Sequence, residues 1–168
     1  MSLLGIAKGR LKIIFSEGLS ADGIEHIEFL IQTNPKFEPA PLKKIASGGE
    51  QTRIFLSIQI VAAKTTRLPT LILDEADVGV GGTTADTIGR LLYQLGSSTQ
   101  VICVTHAPQV AAIGQNHYRV VKNNDETTIE PLNEEMRVEE LARMLAGSGI
   151  SKKTRDYANT LLKEARNH

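Results

Sequence analysis

Apolar positions along this chain change their period several times, and each change marks an element. "RLKIIF" (10–15) and "IEHIEFLIQT" (24–33) are rich in Ile and Phe and flank the Gly-containing "EGLSADG", so two strands joined by a turn are expected. "NPKFEPAPLKK" (34–44) carries three prolines in eleven residues and must be a loop, because proline lacks a backbone donor. The period then becomes helical. Ile54, Ile58, Val61 and Ala62 recur at helix spacing, which predicts a helix beginning just after Ser47-Gly48-Gly49.

"TLIL" (70–73) follows Pro69 as an unbroken apolar run, the pattern of a strand buried on both faces of a parallel sheet. Residues 83–95 return to helical spacing: Ala85, Ile88, Leu91, Leu92 and Leu95 share a face, with Gly96 placed as the C-terminal cap. "QVICVTH" (100–106) is a second buried strand with a polar end, and "APQVAAIG" (107–114) a short helix with proline in its first turn. "HYRVVKNNDETTIEPL" (117–132) predicts a hairpin turning near Asn123-Asn124-Asp125. Two helices close the chain, one over 134–146 stopped by Gly147 and one opened by Ser151 as N-cap. Strand, helix, strand, helix in the middle implies parallel strands with crossover helices, and such sheets bind ligands at the carboxyl ends of their strands. Asp74, Glu75 and His106 all fall there.

Composition changes this picture little. The 168 residues suffice for one domain with a real core, and 19 acids against 19 bases leave no bulk field to recruit nucleic acid or membrane. One cysteine, Cys103, excludes an internal disulfide framework and fits a reducing cytosol. No apolar run approaches the ~18 residues of a membrane span, and the N-terminus lacks a signal layout. Met1-Ser2-Leu3 has the look of a cloning remnant and is set aside, so the lobe is taken as 4–168.

Three polar clusters carry candidate chemistry. Four apolar residues ending in Asp74-Glu75 form a Walker-B pattern: the first carboxylate suits Mg²⁺, and the second can polarise an attacking water. An acidic pair capping the next loop is the plain alternative. In "ASGGE" (46–50), Gly48 and Gly49 at a helix start leave backbone N–H groups facing outward, with Ser47 adding a hydroxyl, so phosphate is a fitting ligand. Taken alone, those letters more often mean an ordinary serine cap with a flexible entry. His106 in "VTHAP" stands where it could hydrogen-bond a γ-phosphate, although lone histidines are commonly structural.

The order of these clusters is more specific than any one of them. "SGGE", a helix, "hhhhDE" and a strand ending in His resemble the C-terminal head half of ATP-binding-cassette ATPases. The sequence is most similar to the RecN-like DNA-repair branch related to SMC proteins, through "KIASGGE", "DEADVGVGGTTAD", "RLLYQLGSSTQVICVTHAPQVAAIGQNHY" and "ELARMLAG". Ala46 stands where a general cassette has Leu, a departure that suits this branch and speaks against a transporter domain. The resemblance implies the C-terminal lobe of a P-loop NTPase head, with a mostly parallel sheet flanked by helices and some antiparallel strands. It implies roles as well. Asp74 would hold Mg²⁺, Glu75 would act as general base and His106 would sense the γ-phosphate. Ser47, Gly48, Gly49 and Glu50 would form the signature motif that meets ATP on a partner head. Asp77 and Gly79 would lie in the D-loop.

The P-loop itself, G-x-x-x-x-G-K-[ST], is missing. "GSGISKKT" (147–154) comes nearest, but Lys152 replaces the second glycine and a helix precedes it, so it is read as a helix connection. ATP and Mg²⁺ binding would therefore need an N-terminal lobe supplied from elsewhere, together with a second head as dimer partner. DNA contact and a cytoplasmic, nucleoid-associated setting rest on the resemblance alone. Lys43-Lys44 and Lys152-Lys153 are short pairs without aromatic interleaving and read as solvated faces. Two rival functions stay open from sequence: a transporter nucleotide-binding domain, which needs a coupling interface to membrane helices, and a non-hydrolysing DNA-binding or dimerisation module.

Overall fold

A computed structural model describes residues 9–21, 23–44, 48–74, 77, 79–123, 126–147 and 149–166. The chain divides into two units, residues 1–65 and 66–168.

In the first unit, β1 (Arg10–Ser20) pairs antiparallel with β2 (Gly23–Gln32), and the seven-residue turn expected at "EGLSADG" contracts because both strands run on into it. Alternation fixes the faces. Leu11, Ile13 and Phe15 lie opposite Ile31, Phe29 and Ile27, making one side of the hairpin apolar. At its root Leu11 and Ile31 pack with Leu42, Ile54 and Ile58, whereas Phe15 and Ile27 further along are exposed. The proline-rich loop is not wholly irregular. Ala40–Pro41 forms a two-residue edge strand, β3, on β2, which proline tolerates because an edge leaves its missing donor unneeded. A single 3-10 turn over Leu42–Lys44 follows.

Helix α1 (Gly48–Thr66) begins at Gly48, earlier than expected, so both glycines sit in its first turn. Its buried residues are Ile54, Leu56, Ile60 and Ala63, while Val61 is 63% exposed and Ala62 is also exposed. The expected face was therefore misplaced. The helix is apolar on several sides, and spacing alone does not choose among them.

In the second unit, β4 (Thr70–Asp74) and β5 (Gln100–Val104) run parallel, Leu73 opposite Cys103 and Asp74 opposite Val104. Helix α2 (Gly82–Leu95) connects them and buries Ala85, Ile88, Leu92 and Leu95, with Leu91 only half-buried. Gly96 caps it in a right-handed conformation, its N–H donating to the Leu92 carbonyl, so no left-handed turn is needed there. Helix α3 (Pro108–Ile113) carries proline in its first turn and lies against α2 where Gly89 gives room; a Cβ there would come within 2.7 Å of Ile113 Cδ1. The hairpin β6 (Tyr118–Asn123) and β7 (Glu126–Pro131) closes Asn123 onto Glu126, as expected, its turn residues 124–125 lying outside the described part. Helices α4 (Glu134–Ala146) and α5 (Lys152–Arg166) pack with α3 around Ala111, Ala112, Leu141, Ala142, Ala158 and Leu162. Ser151 caps α5 by accepting the Thr154 N–H at 3.1 Å, and Gly147 ends α4 at φ 62, so "GSGISKKT" is a helix connection.

One expectation about the central strands needs correction. β4 and β5 are not buried on both faces: Leu73 is buried, but Ile72, Ile102 and Val104 on the opposite face are 67%, 46% and 53% exposed. The cause is coverage, since α2 packs along β5 and no described element of this unit covers the other side. Among the described residues β4 and β5 pair parallel and the other two sheets are antiparallel, so the fold mixes both kinds of strand pairing.

Candidate active site

The acidic strand and the histidine strand are neighbours because α2 returns the chain for a parallel pairing. Asp74, at the carboxyl end of β4, shares the open face with Ile72 and Ile102 and is exposed. Glu75 lies outside the described residues. Beyond it Asp77 is fully buried, and its carboxylate joins the two strand ends. One oxygen, Oδ2, accepts the Thr105 hydroxyl at 2.5 Å and the Ala107 N–H at 2.8 Å. The other, Oδ1, has no hydrogen-bond partner, and His106 Nδ1 lies 3.8 Å from it. The His106 side chain is otherwise 66% exposed.

The turn after Asp77 closes through the Val80 N–H donating to the Asp77 carbonyl at 3.0 Å. Gly79 takes φ 69 there, a left-handed position that glycine occupies without a Cβ clash. Gly79 faces solvent while the Asp77 carboxylate turns inward. Cys103 sits beside the acids: burial first, then the charges of Asp77 and Asp74, push its thiol up to about 11. Metal chemistry fits this corner only in part. Asp74 is an accessible hard oxygen donor, and among the described residues no group of three His, Cys, Asp or Glu is placed to hold an ion.

Gly48, Gly49 and Glu50 form the first turn of α1, with Gly48 exposed, where the leading N–H groups of a helix have no carbonyl partner within it. Ser47 lies outside the described residues. The structure thus brings Asp74, Asp77 and His106 together through β4 and β5, and places the glycine pair in the other unit.

Sequence reasoning missed Thr105 and the Ala107 N–H as partners of Asp77. The only available signal was an aspartate just past a strand end with a threonine beside the histidine, and a buried carboxylate requires donors. Arg137 was missed as well. Buried on α4, it donates to the carbonyls of Ala112 and Gly114, satisfying the end of α3.

No family model matches the chain. The DNA repair protein RecN of Xylella fastidiosa (strain Temecula1) is 48% identical to it over 147 residues, 85% of this chain. RecN of Bacillus subtilis (strain 168) is 36% identical over 151 residues, 88% of this chain. This chain belongs to the RecN family. It spans about a quarter of the length of these RecN relatives, 26% of each. Among solved structures, the Smc head domain of Pyrococcus yayanosii, with its coiled coil and joint, superposes with a TM-score of 0.68 at 15% identity, over 83% of this chain and 26% of that one. An SMC ATPase solved in work on ATP-driven dimerisation and DNA-stimulated activation gives 0.63 at 16% identity, over 84% of both chains. At such identities the likeness concerns the fold: this RecN segment has the α/β fold of an SMC head.

Proposed function

We propose that residues 4–168 form the C-terminal lobe of a RecN-type ATPase head that hydrolyses ATP only when the rest of the RecN chain supplies a P-loop lobe. The observation that carries this reading is the register of β4 on β5. It sets Asp74 and His106 at one end of a sheet whose adjoining face, Ile72, Ile102 and Val104, is apolar and open. A further lobe covering that face would bring bound phosphate to the two strand ends.

In the completed head Asp74 and Glu75 have separate tasks. Asp74, at the strand terminus, would hold Mg²⁺ together with water and the nucleotide, and the ion would neutralise charge on the β- and γ-phosphates. Glu75 would take the proton of the attacking water, and His106 would hydrogen-bond the γ-phosphate. Ser47, Gly48 and Gly49, with Glu50 behind them, would offer N–H and hydroxyl donors to ATP on a second head, with the turn around Asp77 and Gly79 as the D-loop at that seam. ATP would hold two heads together and hydrolysis would release them, in the service of DNA double-strand-break repair in the cytoplasm. The likeness to the RecN relatives favours this over a transporter domain.

The test is reconstitution. The 168-residue chain alone should show no ATP turnover above background, and adding the remaining RecN chain should produce it. Glu75→Gln should then lower turnover by at least ~10²-fold while sparing ATP-dependent association, in line with the weight of a positioned general base. Turnover by the isolated chain would refute the reading, and a fully active Glu75→Gln assembly would favour the non-hydrolysing module.

A further inference from the structure

We infer that Asp77 is a positioning residue that selects which nitrogen of His106 faces the nucleotide. The inference rests on His106 being the phosphate-facing imidazole. Asp77 is fully buried, yet only half of its carboxylate is satisfied: Oδ2 takes two hydrogen bonds, from Thr105 and the Ala107 N–H, and Oδ1 takes none. A buried carboxylate oxygen without a donor is costly, so the nearest donor that can reach it is drawn in. His106 is that group. Its Nδ1 is 3.8 Å from Oδ1, and its largely exposed ring has room to close the remaining distance.

The two bonds to Oδ2 matter for direction. They tie the carboxylate to the Thr105 hydroxyl and the Ala107 N–H, on the two residues that flank His106, so Oδ1 cannot turn away without breaking both. Once Nδ1–H donates to Oδ1, the tautomer of the neutral ring is set and Nε2 alone points outward. A solvated imidazole prefers the opposite form, with the proton on Nε2. The carboxylate therefore reverses the ring's intrinsic preference and leaves Nε2 outward as a bare acceptor, which meets the γ-phosphate oxygens, acceptors themselves, through a water that donates to both.

Nitrogen NMR of the ¹⁵N-histidine-labelled chain, recorded under conditions where the spectrum shows the neutral ring, tests this without nucleotide. The expected spectrum shows His106 protonated at Nδ1 and bare at Nε2. In Asp77→Asn the amide oxygen keeps the two donors and its NH₂ faces the ring, so the two nitrogens should exchange signatures. A wild-type ring protonated at Nε2, or averaging freely between forms, overturns the inference, as does a folded Asp77→Asn that retains the Nδ1–H form. If Asp77→Asn fails to fold, the wild-type spectrum still decides. His106→Ala turnover in the assembled head is a separate readout: unchanged turnover would sink the phosphate-sensing role while leaving the tautomer result intact.

Discussion

Two residues outside the proposed chemistry make the local physics measurable. Cys103, opposite Leu73 on β5, has its thiol raised to about 11 by burial first and then by the charges of Asp77 and Asp74, so at neutral pH it remains protonated and the reactive thiolate is scarce. Alkylation of the native chain by iodoacetamide at neutral pH should be at least ~10²-fold slower than in the urea-unfolded chain, where the thiol returns to its ordinary range near 8.5. His117 behaves differently. Burial first, and then the Arg137 charge, hold its pKa below the ordinary histidine value, with Glu140 opposing. The folded chain thus resists a proton that the unfolded chain accepts. His117 contributes stability in full above about pH 6.5, and that contribution is lost as pH falls through the lowered folded value. Between neutrality and about pH 5, thermal stability should fall more steeply in the parent than in His117→Gln.

At the scale of elements, helix ends decide several outcomes. Asn133 caps α4 by accepting the Met136 N–H at 2.9 Å, a cap written in the sequence as a polar residue before two glutamates. At the other end Gly147 holds φ 62 while its N–H reaches the Arg143 carbonyl at 2.8 Å. A Cβ at Gly147 would meet nothing within 4 Å, so Gly147→Ala tests conformation without sterics. It should cost on the order of 1–3 kcal/mol in urea unfolding, the penalty for holding a side chain in so sparsely populated a backbone region. Most elements of this kind were legible from period and punctuation. The face of α1 was not, because Phe55 and Val61 are apolar yet exposed, and only packing distinguishes them from Ile54 and Leu56.

At the scale of the whole chain the dominant feature is uncovered apolar surface. Ile72, Ile102 and Val104 line one face of β4–β5, and Phe15, Ile27 and Leu19 continue the apolar side of the first hairpin. Patches of this kind drive association. The isolated chain should self-associate in sedimentation velocity, and Ile72→Thr with Ile102→Thr should reduce it. Because both side chains are already largely solvated, the pair should change urea stability by only about 0.5 kcal/mol.

By itself the amino-acid sequence determined the order of the elements, the turn and cap positions, and the running order of Gly48-Gly49, Asp74-Glu75 and His106. These follow from local rules, namely side-chain period, proline's missing donor, and caps satisfied by near neighbours. Tertiary structure alone decided that β4 and β5 keep an open face, that Asp77 turns inward onto Thr105 and Ala107, and that one of its oxygens is left facing His106. Those outcomes depend on which distant residues share space, and hydrophobic period does not encode that.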